Sequence, residues 1–589
     1  MRRQLLLVIA AVLLLRLPFL DQAIQGDDIY YLAGAEHAQI DPLHPNHARY
    51  VFLGSVVDMR GHPHPPFNAW FLGLLLAVFG DIKEVPFHAA YILFSLIAAL
   101  SVLGLARRFS PEPLWATLIF LATPAFVING NSLEADVPFL AFWLAALALA
   151  GRAIAVVPLA LAALTAFQAV FLTPILLVHA WLYARKSRTA WLVAFTPAVV
   201  IGAWQFYEFA STGRLPASVL GGYLSSYGFQ ALEQKLRNAA ALSVHLLWIV
   251  FPVLLPPAAV AAWKRRGRDT LFLAGWIAIF FGGALGVFFA GSARYLLPIA
   301  APLALLASWL HKRWLVAGFA CQMALSLALA WVNYQHWDGY RRFAGELREQ
   351  AASHRVWING EWGLRFYLEA EGGLPLVEGQ AVRPGDLVVS SELAYPVPFT
   401  TGGGALTLVR AAEISSTLPL RLIGLDARSG YSTASKGFLP FDISTGPIDR
   451  VRAELVVERK PALAYLPMNA PECGQQIVSG VYQLEENRFR WMAGKAVFVL
   501  QGPPAPAVLR AVFNIPPGAP ARTVTLFIGS QPVASQTYSA PGAYTLESSL
   551  LPPAREPVTV AIAVDRTFSV PGDRRKLGIV LGAIGFVAR

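Results

Sequence analysis

Charge is what this sequence has least of. Only 14% of its 589 residues are Asp, Glu, Lys or Arg, while 56% are hydrophobic. A soluble domain of average composition carries about 25% charged residues. The shortfall excludes an ordinary soluble protein over most of the length, because long apolar runs recur as far as Trp331 and then stop. Cysteine is almost missing. Cys321 lies in an apolar run and Cys473 far downstream, so neither a disulfide framework nor a Cys-rich metal site is implied. Repeats and low-complexity tracts are lacking. Arg2-Arg3 and the apolar residues 4–15 look like a secretory signal, but Arg16 and Pro18 follow where small residues would mark cleavage. The expectation is an uncleaved first span.

A basic face is lacking too, although the formal net charge is +11. The basic residues fall in short clusters between apolar runs: Arg2-Arg3, Arg107-Arg108, Arg185-Lys186 with Arg188, Lys264-Arg265-Arg266 with Arg268, and Lys312-Arg313. That is the positive-inside pattern of a multispan membrane protein, and it excludes nucleic acid as the partner. With the N-terminus inside, residues 5–20 form the first span and 21–66 a polar outside loop. Residues 67–80 are apolar but short for a crossing. Counting them as a span would put Arg107-Arg108 outside, so they are expected to form an interfacial helix. Alternation continues through 85–106, 114–128, 137–150, a two-span hairpin in 155–183, then 191–209, 239–263 and 271–290. A span opened by Arg294 ends at Lys312-Arg313, and 314–331 returns outward. About eleven spans result, with everything after Asn333 outside. The expected class is a polytopic α-helical protein of the cytoplasmic membrane with large periplasmic, or otherwise extracytoplasmic, C-terminal domains.

Downstream of Tyr340 the pattern changes. Residues 355–359 and 386–390 read as strands and 362–371 as a short helix ending at Gly372-Gly373, which predicts a small α/β domain. Short strands at 495–500, 508–514, 523–528, 558–564 and 579–587, separated by Pro/Gly turns, predict a β-sandwich. The expected domains are a transmembrane module at 1–333, an α/β domain at 334–458 and a β-sandwich at 471–589.

The residues fit for chemistry sit in the outside loops. Asp27-Asp28, just past the first span, offers base or metal-binding carboxylates, though an Asp here is also a good helix N-cap. Tyr30 follows. His62 and His64 flank Pro63 ahead of Pro65-Pro66; they suit metal binding from an extended backbone, or a rigid entry to the interfacial helix. Glu134 and Asp136 sit at the start of a span, where ionised groups are costly and tend to face a cavity. Arg294-Tyr295 opens a late span from outside, against the charge trend, so Arg294 calls for an anionic partner, protein or lipid headgroup. Together these residues converge on the outer face. Acid, metal-ligating and anion-binding groups there suit a reaction on a phosphate-bearing, lipid-anchored substrate.

Four of these features, in order, resemble the polyprenyl-phosphate-dependent glycosyltransferases of the GT-C fold, whose branches include protein O-mannosyltransferases and the lipid A aminoarabinose transferase. They are Gly26-Asp27-Asp28, His64-Pro65-Pro66, Asp136-Val137-Pro138 and the Arg-Tyr-Leu-Leu-Pro run from Arg294 to Pro298. The similarity covers roughly the first 330 residues. It implies transfer of a sugar from a lipid phosphate to a glycan, lipid or protein acceptor in cell-envelope glycosylation, with inversion at the anomeric carbon. By the same resemblance Asp27, ahead of Asp28, is the general base or acceptor-orienting carboxylate. Asp136, backed by Glu134, supports the acceptor or a divalent metal, and Arg294 neutralises the departing phosphate. His62, His64, Tyr30 and Tyr295 join the substrate side. Several relatives place a lysine in the middle hairpin, where this chain has Gln168; donor binding then falls to Arg294 or to Arg214, Lys235 and Arg237. The sandwich, with Arg490-Trp491 and Asp565-Arg566, is similar to carbohydrate-binding modules. Two other classes were set against this reading. A transporter or flippase of a lipid-linked glycan would show inverted repeats and midplane charges; a non-catalytic glycan receptor would leave the loop carboxylates without a role.

Overall fold

The computed structural model describes residues 2–588 apart from 62–63, 226–229, 289, 403, 459–462, 487, 571–572 and 574. The chain forms two compact units. One comprises Met1–Tyr50, Val57–Arg342 and Glu413–Asp449; the other comprises Val51–Val56, Phe343–Ala412 and Arg450–Arg589. The segment Glu413–Asp449, which the sequence pattern assigns to the α/β domain, therefore packs within the helical unit.

The helical unit begins with α1 (Arg2–Arg16) and α2 (Asp28–His37), followed by α3 (Phe67–Phe79) and α4 (Glu84–Phe109). At about 1.5 Å per residue, α3 is some 20 Å long, well under the hydrocarbon thickness. It buries Leu72 and Leu75 and leaves Leu74 and Val78 exposed. The run at 114–128 is two helices, α5 (Pro113–Leu121) and α6 (Pro124–Asn129). Pro124, which has no N–H to give to α5, opens the second of them.

Next come α7 (Asp136–Ala148), α8 (Val156–Thr165), α9 (Leu172–Tyr183), α10 (Arg188–Val193), α11 (Thr196–Thr212) and α12 (Pro216–Ser225). The run at 239–263 is also broken, into α13 (Gln230–Leu246) and α14 (Leu255–Arg265). Pro252 stands in the gap, and prolines fill the first turn of α14. Then follow α15 (Arg268–Val287), α16 (Leu297–Ala307) and α17 (Lys312–Glu346). The last helix runs past Trp331 for a further polar stretch, since nothing in 332–346 breaks helical geometry. Among the described residues four helical stretches are long and apolar enough to cross a membrane: Glu84–Phe109, Arg188–Thr212 (α10 and α11 taken together), Arg268–Val287 and Lys312–Glu346.

The second unit holds two sheets. A five-stranded sheet has the order Leu374–Pro375, Val356–Asn359, Leu387–Ser391, Asp449–Val457, Ala405–Ile414. Its first three strands are parallel, and helix Trp362–Ala370 lies between the first two in sequence. Leu387–Ser391 is buried along its whole length, as a central strand requires.

The C-terminal part is one nine-stranded sheet with antiparallel pairing. Strand Phe489–Leu500 pairs with Val580–Ala588 at Arg490-Trp491 and with Val558–Val564 from Lys495 onward. Two branches of the sheet diverge there. Leu509 and Phe513 from one branch and Leu526 and Ile562 from the other share a single core. Both cysteines are free.

Candidate active site

The site is built where three loops of the helical unit meet, and Asp28 ties two of them together. Its fully buried carboxylate accepts hydrogen bonds from Gln25 N (3.1 Å), Ser132 Oγ (2.8 Å) and Leu133 N (2.8 Å). Burial pushes this carboxyl up to about 7, against those three bonds, which favour the ionised form. Asn68 Nδ2 donates to Leu133 O at 2.9 Å, so α3 holds the same loop. Gln25 Nε2 donates to Asn131 O at 2.6 Å, and Asn333 on α17 donates to Gln25 Oε1 at 2.5 Å.

Arg16, at the end of α1, braces the loop from below. Its guanidinium donates to Val127 O (2.8 Å) and to Phe126 O (2.7 Å), which also accepts from Gly130 N at 3.1 Å, both carbonyls near the C-terminus of α6. Gly130 allows this approach: a Cβ there would lie 1.8 Å from the guanidinium.

Replacing Asp28 with asparagine is expected to cost stability. Whichever way the amide is turned, its NH2 faces Gln25 N–H or Leu133 N–H, and one buried donor loses its acceptor, worth about 1–3 kcal/mol. A lowered thermal midpoint of the purified variant is the check; an unchanged one would rule out the tie.

With the loops so held, Asp27, Glu134 and Asp136 surround one cation. Arg294 Nη2 is 2.7 Å from Asp27 Oδ2, Nη1 pairs with Glu134 Oε2, and Nε lies 3.7 Å from Asp136 Oδ2. Glu134 Oε1 also accepts from Asp27 N at 3.2 Å. Asp27 stands at the N-cap position of α2, yet its side chain makes no capping bond and goes to Arg294 instead. The cap reading is corrected accordingly: a full charge nearby outweighs a neutral N–H.

Gly26 has φ +46°, and a Cβ on it would meet Glu134 Oε1 at 3.1 Å. Glycine is needed for the backbone and for the room. The guanidinium sits on the 3-10 turn Ala293–Leu296, which Tyr431 pins: Ala293 N and Ser292 Oγ both donate to Tyr431 O, at 2.9 and 3.2 Å. The Tyr431 hydroxyl donates to Asn129 Oδ1 at 2.5 Å.

Three carboxylates against one guanidinium leave an excess of two negative charges if all are ionised. Burial pushes the Glu134 carboxyl well above the usual carboxylate range, with Arg294 opposing. Burial works against the charge on Arg294, and Glu134, Asp136 and Asp27 supply the opposing attraction. Exposure separates the acids. The Asp27 side chain is 36% exposed, against 4% for Glu134 and 12% for Asp136.

Asp136 and Arg294 line a cavity together with His64, Gln168 and Tyr295. Phe139, Phe280, Phe288, Leu297 and Pro298 make its apolar walls. Burial lowers the His64 imidazole to about 4, so it is neutral near pH 7, and Arg294 is the one cation among the described lining residues.

Other expected residues lie elsewhere. Tyr30 is buried against Tyr50, with ring centroids 5.1 Å apart, whereas Tyr31 packs on His64 at 5.3 Å. His62 lies outside the described residues. Lys235 donates to Gly286 O (2.6 Å) and Phe288 O (3.1 Å) at the C-terminal end of α15, and Arg237 pairs with Glu233 on its own helix at 3.4 Å. Arg214 is exposed. In the second unit Trp491 packs edge-on against Phe568, with centroids 6.0 Å apart. Sequence reasoning missed Arg16, Ser132 and Tyr431. A buried arginine at a span end was the available signal for the first; nothing local marks Tyr431, which is 302 residues from Asn129.

No protein-family model matches the chain, and no curated protein matches it. Among solved structures the chain is similar to ArnT from Cupriavidus metallidurans bound to undecaprenyl phosphate, with 13% identity over 69% of this chain and 96% of that one and a TM-score of 0.48. The apo state of that protein gives 14%, 69%, 95% and 0.45. Arabinofuranosyltransferase AftD from Mycobacteria is similar over 100% of this chain and 59% of its own length, at 12% identity and a TM-score of 0.39.

Proposed function

We propose that the protein is a membrane glycosyltransferase that moves a sugar from a polyprenyl-phosphate donor to an acceptor at the outer face of the cytoplasmic membrane. One observation carries this reading: a lone guanidinium, Arg294, is held by carboxylates at a cavity whose remaining walls are largely apolar. Such a cavity suits an anionic head on an apolar body.

Arg294 Nε is buried and has no hydrogen-bond partner among the described residues. It is the donor open to a phosphate oxygen. Asp27, the most exposed of the three acids, takes the proton of the acceptor hydroxyl or amine as that atom bonds to the anomeric carbon. The bond from that carbon to the phosphate oxygen breaks, and the electron pair leaves with the phosphate beside Arg294. Attack opposite the leaving group inverts the centre. Asp28 is a positioning residue, and Asp136 orients the acceptor or a divalent metal.

The topology belongs to the same proposal. About eleven crossings, with α1, α5–α6 together, α7, α8, α9, α13–α14 together and α16 completing the set beside the four long ones, put these loops and the C-terminal α/β and β-sandwich domains on the outer side. Deleting the gene and comparing surface glycans by mass spectrometry tests the function. One sugar substituent is expected to disappear and to return on complementation; an unchanged glycan profile would overturn the reading.

A further inference from the structure

A second cluster of titratable side chains lies in the first loop, and none of its residues lines the cavity around Arg294. Asp41, His44 and His47 recur at every third position in the non-helical stretch after α2. One ligand atom from each lies within 4.8 Å of the others. His44 Nδ1 is 2.9 Å from Asp41 Oδ2, and His47 Nε2 is 2.7 Å from Glu208 Oε2 on α11. The two imidazoles stack with centroids 4.5 Å apart, and Tyr207, beside Glu208, stacks on His44 at 5.4 Å.

Two polar atoms at the cluster are unsatisfied among the described residues. The Glu208 side chain is only 1% exposed, and its Oε1 has no hydrogen-bond partner among the described residues. His44 Nε2 is likewise buried without one. Arg60 pairs with Asp58, with Nε at 2.9 and 3.0 Å from the two carboxylate oxygens. Two carboxylates, Asp41 and Glu208, thus face two imidazoles, His44 and His47. A buried carboxylate keeps its charge only opposite a cation.

We propose that Asp41, His44 and His47, with Glu208 completing the set from α11, bind a divalent transition-metal ion of the zinc class. Two imidazoles and two carboxylates match both its donor preference and its charge. Ligands about 2.0–2.1 Å from a tetrahedral ion are roughly 3.3 Å apart. The present N···O separations of 2.7 and 2.9 Å would open by about half an ångström, and the wider ones among Asp41, His44 and His47, up to 4.8 Å, would close to admit it. The ion would clasp the loop after α2 to α11, which lies some 160 residues away in sequence.

The test uses the full chain in detergent, stripped with a chelator, dialysed, then titrated with zinc chloride. Bound metal is counted by mass spectrometry and affinity is measured by calorimetry. A single zinc equivalent per chain is expected, with a rise in thermal midpoint as zinc is added. Asp41→Asn and His44→Ala are each expected to weaken binding more than about tenfold. These two residues are more exposed than Glu208, so both variants should elute as monodisperse as the parent. Failure of the parent to hold zinc would mean that protons alone bridge the two imidazole–carboxylate pairs, and would overturn the proposal. So would undiminished binding by an Asp41→Asn/His44→Ala double variant.

Discussion

Arg294→Ala is expected to cripple the protein twice over, in stability and in transfer. The guanidinium is 8% exposed and contacts three carboxylates, of which Glu134 is almost fully buried. Removing it leaves those acids facing one another without a counter-charge. Breaking a buried pair from one side costs about 3–5 kcal/mol. The thermal midpoint in detergent should fall, and use of the lipid-linked donor should be lost with it.

A second substitution separates the two effects. Arg294→Ala combined with Glu134→Gln removes the most buried orphaned charge, so stability should recover in part while transfer should not. The pair is thus expected to be strongly non-additive in stability. Arg294→Lys tests geometry, because an ammonium cannot span Asp27 and Glu134 with two parallel donors. An Arg294→Ala protein with the parental midpoint, donor Michaelis constant and turnover would remove both the keystone role and the phosphate role.

Asp27→Asn should behave in the opposite way, with large loss of turnover and little loss of fold. An asparagine carbonyl still accepts from Arg294 Nη2, and the site is 36% exposed, so the structural cost is small. The amide cannot take a proton from an acceptor. General-base catalysis contributes about 10²–10⁴-fold, and a drop of that size in transfer is expected while the protein accumulates normally in membranes. Donor affinity should change little, because Asp27 does not line the donor cavity. Full activity in this variant would move the base elsewhere in the cluster. The contrast with Asp28→Asn is informative, since adjacent carboxylates then fail by different routes.

Much of the frame follows from the sequence by itself. Apolar runs with basic ends mark where helices lie, because burying a backbone in lipid leaves few alternatives to a helix. The strands at Val356–Asn359, Leu387–Ser391 and Val558–Val564 fall where β-rich runs between turn residues put them. The loops carrying Asp27, Glu134, Asp136 and Arg294 are also legible, since charge at the end of an apolar run is costly enough to need a reason.

What the sequence does not decide is which charge answers which. Asp27 and Asp28 are neighbours of the same type, yet one pairs with Arg294, 267 residues away, and the other is spent on Ser132 and Leu133. The same holds for Tyr431 beneath the Arg294 turn, for the inclusion of Glu413–Asp449 in the helical unit, and for Glu208 beside His47. Local propensity and hydrophobic period act over a few residues. Pairing of buried polar groups is settled only when distant segments pack, because each group must then find a partner among whatever the fold brings within about 3 Å.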